Sequence, residues 1–360
     1  MGPLCPATTG IIMNSITTAF TKKFGVSHAF AQAGMAFAGE KPELAIAVSK
    51  AGGIGAIGVG FMPPEELRAT IRTIRAAGVE MFNINFITIF GNDAQVQVAA
   101  EEKVPVVSFH WGHPPAEQLD LLKAAGCSIW VQVGTVEDAE KAIDYGAEVI
   151  VAQGQEAGGH NYQGVGGAEQ PGMGGMALIP VMADAIAGRA LLLAAGGIAD
   201  GRGVAAALAL GADGVWVGTR LVASAEAYVH PEHHRRLVAA KGTDTTLSSV
   251  FGPEMPFFNP MRLHKSRVVK EWNHRLAEVP TERDELEVIG ETIFLGGKHI
   301  KRKFDVILPT EDTTGDFEEM AWLMGQGVGL VQDIRPAGEI VAQMMAEAAQ
   351  VLEDKAAHVK

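Results

Sequence analysis

Three glycine-rich stretches and one histidine carry most of the chemistry this chain can offer. Val151-Ala152-Gln153-Gly154-Gln155-Glu156-Ala157-Gly158-Gly159-His160 is a short apolar run that ends in a glycine-rich loop and an imidazole. An imidazole holds or releases a proton near neutral pH. Gly158 and Gly159, lacking Cβ atoms, let backbone lie flat against a planar group. The other two stretches are Ala194-Ala195-Gly196-Gly197-Ile198 and Val217-Gly218-Thr219-Arg220. Such loops leave N–H groups free to face an anion, a following helix adds its positive end, and Thr219 adds a hydroxyl. Each stretch alone also has a plainer reading, as a tight turn or as a surface loop whose histidine is merely hydrogen-bonded.

Further polar residues fall where apolar ones are expected. Asn85 interrupts Phe82-Asn83-Ile84-Asn85-Phe86, and Gln132 interrupts Trp130-Val131-Gln132-Val133. A buried amide must find partners, and it offers donors and acceptors to a ring edge, to another amide or to water. Ala33-Gly34-Met35 is small enough to admit a ring or to make a tight turn. In His110-Trp111-Gly112-His113, His110 is a candidate substrate contact. A metal is not expected there, because no cluster supplies further ligands. His230, His233 and His234 read as part of a solvated helix. Lys298 to Lys303 reads as an exposed basic face, with a phosphate contact to a pyridine nucleotide as the minor alternative. Gly53-Ile54-Gly55-Ala56-Ile57-Gly58 has the spacing of a dinucleotide turn. It lies across the second strand of the pattern, and is discounted.

These residues must be positioned by something. Eight short, nearly unbroken apolar runs lie near Ala29–Gln32, Gly55–Gly58, Phe82–Phe86, Val106–Phe109, Ile129–Val133, Val149–Ala152, Leu191–Ala194 and Gly214–Val217. That is the pattern of parallel strands buried on both faces. Helical segments alternate with them: one opens at Pro63-Pro64, one spans 114–125, one starts after an N-cap at Thr135, and two more span Ala177–Ala187 and Gly201–Leu210. Several end at a glycine that suits a left-handed C-terminal position. Eight strand–helix units predict an α/β fold, a (β/α)8 TIM barrel, with an open doubly wound sheet as the alternative. The glycine loops then follow strands seven and eight, where barrels commonly bind phosphate, and His160 follows strand six at the same end. The expected division is a barrel over 14–222, a mixed helical appendage or lid near the barrel mouth over 223–320, and C-terminal helices over 321–360 that pack back on the barrel. Met320–Gln326 and Pro336–Leu352 read as helical.

Composition narrows the function classes. The chain has 360 residues, 48% of them hydrophobic, and a net charge of −13 with no long run of one sign. Nucleic acid needs clustered Lys and Arg, so it is not an expected partner, and no polybasic membrane site is present. Two cysteines, Cys5 and Cys127, give no disulfide framework and point to a reducing, cytoplasmic compartment. Met1 to Gly10 does not read as a signal peptide, and no apolar run reaches the roughly 20 residues of a spanning helix. The sequence leaves a homo-oligomer open.

Taken together, the chain resembles the nitronate monooxygenase (2-nitropropane dioxygenase-like) flavoproteins, relatives of the FMN-dependent enoyl-ACP reductases. The resemblance is carried by Gln32-Ala33-Gly34-Met35, Ser49 to Gly55, Asn85, Val107 to Gly112, Gln132-Val133, Gln155 to His160, Ala195 to Gly201, Gly218-Thr219-Arg220 and Gly325 to Leu330. It implies non-covalent FMN, with the phosphate on Gly196, Gly197, Gly218 and Thr219. The ring would lie among Ala33, Gly34, Met35, Asn85, Gln132, Gly158 and Gly159, and His160 would be the active-site histidine. The chain departs from the family pattern at Ala33-Gly34-Met35-Ala36, where Pro-Met-Ala is usual. It departs again at Gly175, where a hydroxyl residue is common. Ser128 stands where the reductases often carry Lys. The implied reaction is FMN-dependent oxidation of an alkyl nitronate, or a nitroalkane, with O2. The alternative is an FMN reductase that takes electrons from NADH or NADPH and acts on an enoyl thioester or a quinone. An inosinate-dehydrogenase-like chemistry lacks its nucleophilic Cys, since Cys127 precedes strand five. A flavin-binding module without turnover is the remaining class.

Overall fold

The computed structural model describes residues 16–161, 172–256 and 259–358. Eight strands form one parallel sheet: β1 (Phe30–Gln32), β2 (Gly55–Gly58), β3 (Phe82–Ile87), β4 (Val106–His110), β5 (Ser128–Val133), β6 (Val149–Gln153), β8 (Leu191–Ala195) and β9 (Gly214–Val217). A two-residue strand, β7 (Gly159–His160), stands outside it. The sheet order is β1-β9-β8-β6-β5-β4-β3-β2. An isolated parallel bridge, Ala31 to Ile54, joins the two ends, so the sheet closes into the expected TIM barrel.

Helices α2 (Pro42–Lys50), α3 (Pro64–Ala76), α4 (Asp93–Glu101), α5 (Ala116–Ala124), α6 (Val136–Asp144), α7 (Gly175–Ile186) and α8 (Gly201–Ala209) alternate with the strands. Their ends follow local chemistry. The Thr135 side chain accepts the Asp138 amide and starts α6. Gly78, Gly126, Gly146 and Gly211 follow helix ends at φ 78°, 83°, 93° and 102°, a region closed to most side chains.

Side chains alternate along each strand, so every second residue points into the barrel. Ala31, Ile54, Val106, Trp130, Val149, Val151, Leu193, Ala195 and Trp216 form one buried interior cluster. Below it lies α1 (Ala19–Phe24). Its Phe20 and Phe24 pack edgewise on Trp130, with ring centroids 5.7 and 5.2 Å away, and plug the amino-terminal end. Toward the carboxyl ends the same inward positions turn polar: Asn83, Asn85, Ser108, His110, Gln132 and Gln153, all buried.

After β9 come α9 (Thr219–Val222), α10 (Pro231–Ala239), β10 (Thr245–Ser248), β11 (Met261–His264), α11 (Arg267–Trp272) and the hairpin β12 (Val288–Phe294) and β13 (Gly297–Arg302). The last helix, α12 (Ala337–Ala356), packs on α8 and α2. The helix expected over Met320–Gln326 does not form. Leu323 bridges to Leu263 and the His264 amide donates to the Trp322 carbonyl at 2.9 Å. Pairing with β11 fixes the segment as extended chain.

The β1–β2 seam has a feature that periodicity could not show. The wholly buried Gln32 points away from the barrel interior. Its Nε2 donates to the Ala56 carbonyl at 2.6 Å and its Oε1 accepts the Ala56 amide at 3.1 Å. A side-chain amide thereby supplies the two bonds a neighbouring strand would make. Replacing Gln32 with Leu leaves both Ala56 groups buried and unpaired, at about 1–3 kcal/mol each. The urea unfolding midpoint should fall accordingly; a loss below about 0.5 kcal/mol would show that the seam does not need the side chain.

Candidate active site

A cleft lies at the carboxyl ends of the strands and is open to solvent on one side. Ala33, Gly34, Met35, Asn85, His110, Gln132, Gly158, Gly159, His160, Gly196, Gly197, Gly218 and Thr219 all line it. Residues from the ends of seven of the eight barrel strands thus meet in one place, as barrel geometry requires.

One wall is glycine backbone. Gly196 and Gly197, directly after β8, sit at φ 106° and 74°. A Cβ on Gly196 would stand 3.0 Å from the Gly154 carbonyl oxygen. Among the described residues, the amides of Gly196, Gly197 and Thr219 are not engaged by the protein. The Thr219 hydroxyl accepts the Gly325 amide at 2.9 Å, which leaves its own hydrogen to donate. The helix behind β8 does not contribute as expected. The Asp200 carboxylate caps α8 by accepting the Arg202 and Gly203 amides at 3.0 and 3.2 Å, and Glu347 takes the Gly201 amide. The free donors of this wall are therefore those of the loop after β8 and of the start of α9. Arg220 does not face the cleft. It is buried against Asp333, with Nη2 to Oδ1 at 2.6 Å, and ties α9 to the chain before α12.

The amides behave as a network. Asn83 and Asn85 both donate to the Ser108 hydroxyl at 2.8 Å. Gly34 packs so tightly on Asn85 that a Cβ there would lie 2.1 Å from its Cγ. Gly58 likewise has the Met35 carbonyl carbon where its Cβ would be, 2.3 Å away. Only glycine permits the turn after β1 to lie over β2 and β3.

His160 is held by its backbone. The Gln153 side chain donates to its carbonyl at 2.9 Å. β7 pairs antiparallel with β11, Met261 opposite His160 and Arg262 opposite Gly159. Arg262 donates through Nε to the Gln155 carbonyl at 2.9 Å. Glu156 turns away from the cleft and accepts the Gly175 amide at the start of α7, at 2.8 and 3.0 Å. In that position its charge favours the helix end. Gln153, Arg262 and Glu156 are therefore positioning residues. Gln153 could have been found from its inward parity after Val149 and Val151; Arg262 gives no sequence signal, because its partner is more than a hundred residues away.

The His110 imidazole is buried beside His160, and burial first, then the His160 charge, push its pKa down to about 3. A hydrogen bond with the His160 backbone opposes that shift. Its Nδ1 has no hydrogen-bond partner among the described residues. Trp111 stands edge-on to both rings, at 5.3 and 5.2 Å. Its φ of 73° is rare for so bulky a residue, and the Thr88 hydroxyl, donating to the Trp111 carbonyl, helps hold it. His113 is not brought to this pair; it contacts the Tyr145 hydroxyl at 2.8 Å and Asp138 at 3.2 Å.

The three histidines around α10 are not a solvated face. His233 is buried, lines the cleft, and contacts the Leu323 carbonyl at 3.0 Å; burial lowers its pKa to about 4. His230 accepts the Glu232 amide at the start of α10, and His234 contacts the Val222 carbonyl. The basic run is not a free face either. Lys298 pairs with Glu291, Lys303 with Glu319, Arg302 donates to the Leu286 carbonyl, and wholly buried Lys301 donates to the Ile307 carbonyl. Each cation has a partner before any nucleotide phosphate arrives.

Among the described residues no helix is long and apolar enough to cross a membrane. The sequence model of the family "Nitronate monooxygenase" matches residues 17–92 and 83–347. The nitronate monooxygenase of Paraburkholderia phytofirmans is 30% identical over 351 residues, 87% of this chain and 90% of its own. The structure of FabK from Thermotoga maritima aligns with a TM-score of 0.76 at 30% identity, over 96% of this chain and 100% of that one. The nitroalkane oxidase from Streptomyces ansochromogenes aligns with a TM-score of 0.76 at 26% identity, over 94% and 100%.

Both buried histidines are held neutral, with consequences for stability. The unfolded chain takes up their protons near the ordinary value of 6.5, whereas the folded chain does so only near 3 and 4. Their contribution is complete above about pH 6.5 and is lost as the pH falls through the interval below it, approaching about 1.4 kcal/mol per pH unit for each. Unfolding midpoints in urea should drop between pH 7 and pH 5, and His233→Gln, which keeps an N–H donor, should flatten that drop. A wild-type midpoint independent of pH over this range would contradict the assignment.

Proposed function

We propose, from the premise that the chain belongs to the nitronate monooxygenase family of flavin-dependent oxidoreductases, that it oxidises alkyl nitronates with FMN and O2. One observation carries this reading: a single cleft joins unengaged glycine amides to an imidazole pair, and none of its described lining residues is Lys, Arg, Asp or Glu.

The residues fit FMN. Among the described residues the amides of Gly196, Gly197 and Thr219 have no acceptor, and with Gly218 and the Thr219 hydroxyl they would suit a phosphate. Ala33, Gly34, Met35, Gly158 and Gly159 line the same cleft and would hold the isoalloxazine ring. Asn85 and Gln132 present amides that can donate and accept. FMN, when bound, supplies acceptance of electrons from the nitronate and their return to O2. In this reading residues 14–222 are the FMN-binding barrel, 223–320 its lid, and 321–360 the segment that packs back on it.

The protein's part is to bind, orient and move a proton. His160 holds the anionic nitronate head, and takes the α-proton when the neutral nitroalkane binds instead. Its backbone is fixed from two sides, by Gln153 and by β11, so the ring works from a defined position. His110 is neutral at working pH. Its one ring N–H is taken by the His160 backbone, so it supports that loop without adding charge beside the bound head. The alternative, a reductase fed by NADH or NADPH, would bring a pyrophosphate to a cleft whose described lining holds no cationic side chain. That disfavours it.

Anaerobic addition of ethyl nitronate should bleach the flavin absorbance, and NADH and NADPH should leave it unchanged within the turnover time. Unchanged absorbance with nitronate, and no turnover in air, would remove the proposal. His160→Gln should lower kcat/KM by about a hundredfold or more while the visible spectrum still reports bound FMN. Gly196→Val, which fills the phosphate cradle at a positive φ, should purify with less FMN per chain, read from the ratio of visible to ultraviolet absorbance.

A further inference from the structure

The ends of the cleft differ in chemistry. Around the barrel β2 stands opposite β6, and β3 opposite β8. The glycine amides and His160 follow β6, β8 and β9. Across from them, Phe61 follows β2 and Phe90 follows β3, while Phe37 follows β1. These rings are anchored to one another and to the appendage. Phe61 lies 4.7 Å from Phe90, and Phe294 at the end of β12 lies 5.4 Å from Phe61 and 6.2 Å from Phe37. Phe61 is nonetheless 40% exposed. A large ring held in place yet left in water at a cleft mouth is a surface waiting for apolar contact.

The wall beside these rings is Val306 to Pro309. Charged groups stand behind it and are spent on holding it. Asp305 accepts the Ile307 amide at 2.8 Å, and Lys301 donates to the Ile307 carbonyl. Arg283 and His299 reach the other Asp305 oxygen at 3.1 and 2.6 Å. This buried cluster fixes a stretch of backbone whose face toward the cleft is apolar. The segments outside the described residues add only Glu169 and Lys360 to the charges of the chain. A substrate with several phosphate charges therefore meets no cation in the described lining, whereas a hydrocarbon body meets rings and branched aliphatic side chains.

We propose that the cleft selects a substrate with a small polar head and an extended apolar body, and that Phe61, Phe90 and the Val306–Pro309 wall hold that body. Resting on the proposed function, the substrate is an aliphatic nitronate of longer chain than ethyl nitronate, its head at His160 and its carbon chain against the rings.

The test uses the flavin-loaded full chain and primary nitronates from two to eight carbons. Burying a methylene is worth about fourfold when transfer from water is complete, so kcat/KM should climb about two- to fourfold per carbon before levelling off. Phe61→Ala should cut the eight-carbon to two-carbon ratio of kcat/KM by about fivefold or more, and Phe61→Leu should restore most of it. Affinity for the neutral nitroalkanes of the same lengths, measured by titration calorimetry without turnover, should climb in parallel. Nitronate turnover with both series flat within about twofold would overturn the inference and leave the proposed function standing. Affinity that climbs with chain length while no nitronate is turned over would remove the proposed function and support the inference, with a different polar head.

Discussion

Every backbone donor and acceptor inside a parallel barrel must be paired, and this barrel has one seam where strands alone do not do it. Between β1 and β2 the ladder is reduced to a single bridge, and the Gln32 side chain completes it on the Ala56 peptide. The seam opens because the turn after β1 must lie over β2 and β3. That turn carries Gly34 against Asn85, the Met35 backbone against Gly58, and Phe37 at φ 62°. The loss of a regular ladder and the presence of a cleft wall are thus the same event. A buried amide costs nothing extra where it replaces the bonds a strand would have made.

A second constraint links the barrel to the residues after it. β7 pairs with β11, Arg262 holds the Gln155 carbonyl, and Leu323 bridges to Leu263. Gly325 donates to Thr219, and the Gln326 amide donates to the Glu156 carbonyl. The loop that carries His160 is therefore woven from three distant parts of the chain. Changes in β11 or at Leu323 should reach His160 through these backbone bonds.

Charge is distributed with the same economy. The chain is acidic overall, yet the described lining of the cleft holds no charged side chain, and its titratable groups are His110, His160 and His233. The ion pairs that approach the cleft, Arg220 with Asp333 and the Asp305 cluster, face its supporting walls instead. A low-dielectric cleft strengthens every hydrogen bond made in it, and it penalises any charge that finds no partner. One small polar head and an apolar remainder is the substrate shape that such a cleft accepts.

The sequence by itself determined the elements and the class of fold. Eight apolar runs, helix starts such as Thr135 and left-handed glycines such as Gly78 are local signals, and the strands formed within a residue or so of where those signals put them. It also determined which loops lie at the carboxyl ends, so Gly196, Gly218 and His160 could be placed at one mouth before any coordinates. What only the tertiary structure decided is everything that depends on contact between distant segments. Met320–Gln326 has a helical composition and is extended because β11 pairs with it. His233 reads as a solvated histidine and is buried because Leu323 and Trp322 cover it. Lys301 reads as surface charge and is buried beneath the 306–309 wall. Hydrophobic period and turn chemistry act within a few residues, whereas burial and partner choice are set by packing across the whole chain. The loop that ends in His160 shows both sides. Its glycines and its histidine are legible in the sequence, but its geometry belongs to Gln153, Arg262 and β11.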